Sequence, residues 1–424
     1  MSIEREVAPG QVGFDAKRLA ALDAHFARYV EDGRLAGWQL VISRDGRVAH
    51  ASTCGRRDLE AGLPVEPDTL WRVYSMTKPI TSVAAMMLWE EGRFELTDPI
   101  SRWLPEFAAP QVYDRGSAGQ PYTVPAAEPI RVWHLLTHTS GLTYGFLQTS
   151  VVDALYRKAG YDIMSKPGVD LAQACRDWAA LPLLFQPGTG WGYGVSTDVL
   201  GRLVEVVSGQ SLGDFLRTRI FEPLGMTDTH WWVDPAGDDA KRLAALYVPG
   251  PAANAAVQAG AATRFDPIGQ HALREPDLHS GGGGLICTAA DYHRFTSMLL
   301  REGTVASEGT AAGERLLSSR TVRFMTRNHL PGGVDLDRLQ TGGFAETTFE
   351  GIGFGLGFAV VRDPVPARTP SSPGSYYWGG AASTAFWVDP AERLTVAFYT
   401  QLLPSSTHPI RPQLRQLIYS ALTD

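Results

Sequence analysis

The stretch Leu70-Trp71-Arg72-Val73-Tyr74-Ser75-Met76-Thr77-Lys78-Pro79-Ile80 decides how the rest of this chain is read. A short apolar run leads in, and Ile80 to Leu88 (Ile-Thr-Ser-Val-Ala-Ala-Met-Met-Leu) has the make-up of a buried helix. Ser75 then falls at or just inside the helix N-terminus, where Pro79 in the opening turns is tolerated. Residues three apart share a helix face, so the Ser75 hydroxyl and the Lys78 amine become neighbours. A hydroxyl is a poor nucleophile until a base takes its proton, and a desolvated amine can be that base. The free N–H groups and positive dipole end of a helix N-terminus also favour a developing oxyanion. The competing reading is a plain N-cap serine with a solvated lysine on the first turn. Serine is common, but the chain's only lysines are Lys17, Lys78, Lys158, Lys166 and Lys241, and only Lys78 has a serine three residues before it. On these residues alone the two readings balance.

Composition narrows the classes. A chain of 424 residues is long enough for one large domain or two that share a core. With 44% hydrophobic, 20% charged and 10% aromatic residues it is an ordinary globular protein. A formal charge of -7 without a long basic run offers no footprint for nucleic acid or an anionic membrane. Arg56-Arg57-Asp58 reads as a solvated loop. The three cysteines, Cys54, Cys175 and Cys287, are odd in number and widely spaced, which suits neither a metal site nor a disulfide framework. The N-terminus lacks the basic start and apolar core of a secretory signal, and no apolar run reaches the ~18 residues of a membrane span. A soluble, cytoplasmic protein is expected.

Working outward from Ser75, Lys17 to Tyr29 shows helical spacing, with Leu19, Leu22, Phe26 and Val30 on one face. Trp38 to Ser43 and Arg47 to Thr53 read as a hairpin around Asp45-Gly46. Asp98 to Pro105 reads as a helix broken by prolines. From about 130 to 235 the signals are mostly helical: Val132 to Leu136, Leu171 to Leu181, Ser196 to Val207 and Leu212 to Phe221. The stretch 245–280, rich in Ala, Gly and Pro, reads as loop, a lid or pocket wall. After Ser280-Gly281-Gly282-Gly283-Gly284 a helix runs from Ala289 to Arg301. Strands follow at Phe354 to Arg362, Tyr376 to Gly380, Thr384 to Val388 and Leu394 to Thr400, and a helix at Pro412 to Leu422 closes the chain. This order predicts an α+β fold in which both chain ends form one antiparallel sheet flanked by helices, with a mostly helical inserted domain. The expected boundaries are 1–74 with 281–424 for the discontinuous domain and 75–280 for the helical one, the active site lying between them.

Four further constellations bear on chemistry. Gly209-Gln210-Ser211-Leu212-Gly213 matches the G-x-S-x-G elbow, which needs a buried strand before its serine. Leu203 to Ser208 instead continues a helix, so Gly209 reads as a helix stop and Ser211 as the next N-cap. His134 and His138 are four apart as in zinc helices, but Leu135 replaces the glutamate of a metalloprotease. They read as structural histidines bonding to loop backbone, and no metal is expected. Tyr193, in Gly188-Thr189-Gly190-Trp191-Gly192-Tyr193-Gly194, stands in a glycine-rich loop before a helix. It fits an acid–base group if a cation lowers its pKa, or an aromatic cap on that helix. Trp378-Gly379-Gly380-Ala381 lies on a strand where two glycines mark close approach of a ligand or another backbone, or else an edge bulge.

In this order the pieces resemble the serine β-lactamase and penicillin-binding-protein superfamily, whose first signature is S-x-x-K. They resemble its class C β-lactamases, and most closely the family VIII carboxylesterases. The resemblance spans nearly the whole chain and includes His134-Leu135-Leu136-Thr137-His138-Thr139-Ser140-Gly141-Leu142, Gln186-Pro187-Gly188, Pro223-Leu224-Gly225-Met226 and the glycines 281–284. It implies Ser75 as nucleophile, Lys78 and Tyr193 sharing the base role, and an oxyanion hole from the backbone N–H groups of Ser75 and Ala381. The intermediate it implies is an acyl-enzyme, formed without a cofactor, with Trp378, Gly379 and Gly380 lining the substrate pocket.

Two departures from the β-lactamase pattern matter. Y-x-N reads Tyr193-Gly194-Val195, so the side-chain amide is missing. K-T-G reads Trp378-Gly379-Gly380, which removes the cation that would meet a β-lactam carboxylate. A neutral, apolar acyl substrate is therefore expected, and W-G-G is the form the family VIII esterases carry. The expectation is an ester hydrolase acting on short-chain, small-molecule esters, ahead of a β-lactamase, a D-Ala-D-Ala peptidase, a transacylase or a silent scaffold.

Overall fold

The computed structural model describes residues 2–163, 165–251, 260–305, 314–341 and 349–423. Helix α1 (Ala16–Glu31) starts at Asp15, whose carboxylate accepts the N–H groups of Lys17 and Arg18, the usual way a first turn is satisfied. Strands β1 (Gly37–Arg44), β2 (Arg47–Asp58) and β3 (Leu63–Pro64) follow. Helices α2 (Thr77–Glu90), α3 (Ser196–Ser208) and α4 (Ala289–Leu300) are the three that bear on the site. The end of the chain adds β4 (Ile352–Phe354), β5 (Ala359–Val361), β6 (Tyr376–Gly379), β7 (Ala385–Asp389) and β8 (Leu394–Tyr399), then helix α5 (Ile410–Ser420).

These eight strands form one antiparallel sheet in the order β4-β5-β6-β7-β8-β1-β2-β3. The first hairpin thus joins the C-terminal strands through β1 and β8, with Leu40 opposite Phe398 and Ile42 opposite Val396. The two-residue period of a strand splits the core. Trp38, Leu40, Ile42, Val396 and Phe398 join the apolar cluster of α1 and α5, while Val41, Ala397 and Tyr399 join the cluster that holds α2. Both faces are covered, so β1 is buried along its whole length.

Helix α2 has no solvent face from Thr77 to Leu88, as a helix enclosed by protein should. It packs on α3, and α4 lies against β8. The glycines 281–284 thread between α2 and α3 and lace onto the polar residues of α2. Gly281 O accepts from Thr81 Oγ1 at 2.8 Å, Gly282 O from Lys78 Nζ at 2.7 Å, and the Leu285 N–H donates to Thr77 Oγ1 at 3.1 Å. The short strand Leu70–Arg72 pairs with Ile286–Thr288 and so draws together the two ends of the intervening segment.

Several local readings need correction. Phe354 to Arg362 is two strands, because Gly355-Leu356-Gly357 turns the chain so that Gly357 lies against Ser82 of α2. Asp98 to Pro105 forms only single 3-10 turns at Ile100–Arg102 and Pro105–Phe107. A largely exposed hairpin, Gln111–Ser117 with Gln120–Pro125, was not expected, because little of it is apolar enough to show a period. The stretch 245–280 carries short elements, Tyr247–Pro249 paired with Ala262–Arg264 and a helical turn at Asp266–Gly269; residues 252–259 lie outside the described ones. No described helix is long and apolar enough to cross a membrane.

Candidate active site

Ser75 stands in the 3-10 turn Tyr74–Met76 that runs into α2, and Lys78 is the second residue of that helix. The preceding residue, Tyr74, has φ 45°, a left-handed conformation that costs a bulky side chain on the order of 1–3 kcal/mol. The corner it makes leaves Ser75 half-buried while Lys78 is only 2% exposed. Lys78 Nζ lies 3.4 Å from Ser75 Oγ, 3.0 Å from Tyr144 Oη and 2.7 Å from Gly282 O. A buried ammonium or amine without such partners would cost several kcal/mol. The three contacts also sort the possibilities for a neutral amine. Its two N–H bonds suit the Gly282 carbonyl and the Tyr144 oxygen, leaving the lone pair for the Ser75 hydroxyl proton.

Around Lys78 are two groups that the sequence reading did not pick out. Tyr144 is buried, and its hydroxyl is held well above the ordinary phenol pKa by that burial and by the charge of Asp198. Asp198, on the first turn of α3, is a buried carboxylate that accepts from Ser280 Oγ at 2.5 Å and from the Gly282 N–H at 3.0 Å. Burial raises its pKa, against the lowering by the Lys78 charge and by these hydrogen bonds. A side chain at Gly282 would collide with Asp198 and Tyr144, so only glycine lets this strand of chain pass.

Tyr193 is placed by its glycine loop, whose Gly188 N–H donates to Thr139 O and Gly192 N–H to His138 O. Its ring centroid is 4.6 Å from Lys78 Nζ, and its hydroxyl accepts from the Trp378 indole N–H at 3.2 Å. Trp191, His138, Tyr144 and Trp378 surround the ring at centroid distances of 5.0–6.0 Å. His134 is a structural histidine as read, its Nδ1 accepting the Arg131 N–H at 3.0 Å. Burial and the nearby Arg131 push its pKa down to about 4. His138 corrects the reading: its Nδ1 is buried without a hydrogen-bond partner among the described residues, and the ring packs on Tyr193 rather than bonding loop backbone. Among the described residues no group of three His, Cys, Asp or Glu could hold a metal ion.

Opposite stands the end of β6. Trp378 is buried against Phe354 and Tyr193. Gly380 lies so close to the Val73 carbonyl that a methyl group would overlap it, and Gly379 is as close to the Arg411 guanidinium. The two glycines therefore mark close approach of another backbone and of the part-buried Arg411 cation. Arg411 Nη2 donates to Gly380 O at 3.1 Å and Thr384 O at 2.9 Å. Gly380 to Ser383 is a turn closed by the Ser383 N–H on Gly380 O, and Ala381 stands exposed at its first corner. The closing hydrogen bond of such a turn does not use the N–H of that corner residue.

The structure thus brings Ser75, Lys78, Tyr193, Trp378, Gly379 and Gly380 into one place, with Ala381 at its rim. It keeps Ser211 out. That serine is exposed and caps the helix Leu212–Leu216, accepting the Asp214 N–H at 3.0 Å, and Gly209 ends α3 in the left-handed conformation. Asp198 carries no local signal, since its helix also holds Arg202 and Glu205 and an acidic residue in a first turn is ordinary. Tyr144 had none beyond the neighbouring histidine segment.

A serine on the turn into α2 thus stands beside a buried lysine of that helix, facing a strand across a tyrosine. The family model for Beta-lactamase matches residues 22–420, and the chain belongs to that family. Esterase EstB of Burkholderia gladioli is 33% identical, covering 97% of this chain and 98% of its own. Lovastatin esterase of Penicillium rubens is 30% identical over 87% of this chain and 89% of its own. Among solved structures, EstCE1, described as a hydrolase with promiscuous acyltransferase activity, superposes with a TM-score of 0.76 at 29% identity, covering 95% and 98% of the two chains. The expected kinship with family VIII carboxylesterases is the one found.

Proposed function

We propose that this protein is a serine carboxylesterase that hydrolyses short-chain esters through an acyl-enzyme on Ser75. The observation that carries the reading is the buried Lys78 amine 3.4 Å from Ser75 Oγ, beside Tyr193 and with Trp378 where a β-lactamase has lysine. Ser75 Oγ attacks the ester carbonyl as its proton passes to the Lys78–Tyr193 pair. The N–H groups of Ser75 and Ala381 hold the oxyanion. The leaving alkoxide takes the proton, and water then cleaves the acyl-serine under the same base.

Of the two tyrosines, Tyr193 is the better base. Its hydroxyl receives a hydrogen bond from Trp378 beside the Lys78 amine, whereas burial and Asp198 hold Tyr144 protonated. The naming of the relatives as esterases supports an ester over a lactam. The missing cation at residue 378 supports the same, since Arg411 donates behind the strand to Gly380 O and Thr384 O.

The test is a chain-length series of p-nitrophenyl esters run beside nitrocefin on wild type and Ser75→Ala, with fluorophosphonate labelling of both. Turnover of the acetate or butyrate, faster than of nitrocefin and abolished with the label in Ser75→Ala, is expected. Faster nitrocefin turnover would favour a β-lactamase, and an unlabelled wild type a silent scaffold.

A further inference from the structure

Proton transfer from Ser75 leaves Asp198 unused, yet this carboxylate is 1% exposed at the centre of the site. It stands on the first turn of α3, where Arg202 and Glu205 pair with each other at 2.8 Å. A buried carboxylate is costly unless its surroundings balance it. Two donors do part of this, Ser280 Oγ at 2.5 Å and the Gly282 N–H at 3.0 Å, both onto Oδ1. The Ser280 contact has the length of a hydroxyl bonded to an ionised carboxylate, ~2.5–2.7 Å. Burial raises the Asp198 pKa, and Lys78 is the cation that works against the rise.

One glycine links the carboxylate to the amine. Gly282 gives its N–H to Asp198 and its carbonyl to Lys78 Nζ, the latter at 2.7 Å. Oδ2, the other carboxylate oxygen, takes no hydrogen bond among the described residues. It lies on the side of Gly282 where the Tyr144 hydroxyl comes in, the two oxygens being 2.5 and 2.9 Å from the point where a side chain would begin. Tyr144 in turn meets the amine at 3.0 Å. A negative charge thus faces a buried amine across one turn of backbone and one phenol. When the Ser75 proton arrives, the Lys78–Tyr193 pair gains a unit of positive charge beside that amine, where a fixed negative charge acts strongly.

Resting on the esterase reading of Ser75, we infer that Asp198 is a positioning residue whose negative charge, acting across Gly282 and Tyr144 on Lys78, stabilises the protonated base that forms as Ser75 attacks. The Ser75 O–H bond breaks and its proton goes to the Lys78–Tyr193 pair. The oxygen lone pair bonds the ester carbonyl carbon, whose π electrons move onto the oxyanion. Collapse of the oxyanion expels the alkoxide, which takes the proton from the pair. Asp198 gains and loses no proton in either step and does not touch the substrate. Its effect therefore lies in kcat, with KM unchanged.

The experiment separates charge from shape. Asp198→Asn keeps the size and an acceptor for Ser280 and Gly282 but removes the charge, whereas Ser280→Ala keeps the charge and loosens the glycine turn. Each is assayed for kcat and KM on p-nitrophenyl butyrate and for the rate of fluorophosphonate labelling, with Ser75→Ala as the blank. Asp198→Asn is expected to lose on the order of a hundredfold in kcat and in labelling rate at unchanged KM. Ser280→Ala is expected to lose less than about tenfold. If Asp198→Asn does not fold, Asp198→Ser, which also removes the charge and leaves space for water, takes its place. A kcat of the uncharged variant within about threefold of wild type, a loss carried by KM, or an equal loss in Ser280→Ala overturns the inference and leaves the esterase reading standing. A wild type that is labelled but turns over no ester, with labelling slowed in Asp198→Asn, upholds the role of Asp198 and overturns the esterase reading.

Discussion

Tyr144 and Tyr193 both stand against the Lys78 amine, one on the side of the glycines 281–284 and the other on the side of β6. Their surroundings act in opposite directions. Tyr144 shares its space with the Asp198 carboxylate, which resists any second negative charge, so it remains a phenol and orients the amine. Tyr193 receives the Trp378 N–H and packs among Trp191, His138 and Trp378. Identical side chains at similar distances from one amine are thus assigned different work by their second neighbours. The lesson is general for buried polar clusters, where a low local dielectric magnifies the effect of each charge.

The sharpest way to break this comparison is to remove one hydroxyl at a time. Tyr193→Phe is expected to lower kcat on p-nitrophenyl butyrate about a thousandfold, and Tyr144→Phe only about tenfold. Equal losses, or the reverse order, would exchange the two roles. A smaller effect separates the wall from its tyrosine. Trp378→Phe keeps the ring packing and deletes the N–H to Tyr193, so kcat should fall about tenfold with little change in KM. A rise in KM with kcat unchanged would make Trp378 a mere substrate contact.

The mildest test uses acid. His134 lies beneath the Tyr193 loop, its ring in contact range of Gly188, and its pKa falls from 6.5 in the unfolded chain to about 4 when folded. The unfolded chain therefore takes up the proton first as pH drops. Stability from this residue is complete above 6.5, declines between 6.5 and about 4, and amounts to about 3 kcal/mol. The Tm of wild type should fall through that window more steeply than that of His134→Gln. Parallel curves would show that the Tyr193 side does not depend on a neutral His134.

Much of the fold was legible because it rests on local pattern. The hairpin around Asp45-Gly46 follows from a two-residue period and a turn, and α1 and α3 from helical spacing with clear stops at their ends. Phe354 to Arg362 misled because an apolar run hides its turn, and only the approach of Gly357 to Ser82 explains the break. In the site, Ser75 and Lys78 were legible since one helical turn fixes their separation. Tyr144 and Asp198 were not. They lie 66 and 120 residues from Lys78 in the chain, and nothing in Leu142-Thr143-Tyr144 or Ser196-Thr197-Asp198 distinguishes them from ordinary cap and turn residues.

By itself, then, the sequence determined what one turn of chain can hold: a serine and a lysine three apart on a buried helix, a tyrosine freed by glycines, a strand with two glycines. Only the tertiary structure decided which way each group is biased. It set Asp198 beside Tyr144, Trp378 beside Tyr193 and Val73 beneath Gly380. The reason is physical. Spacing fixes distances within an element, but protonation and charge balance depend on burial and on neighbours from other elements, which no local pattern encodes.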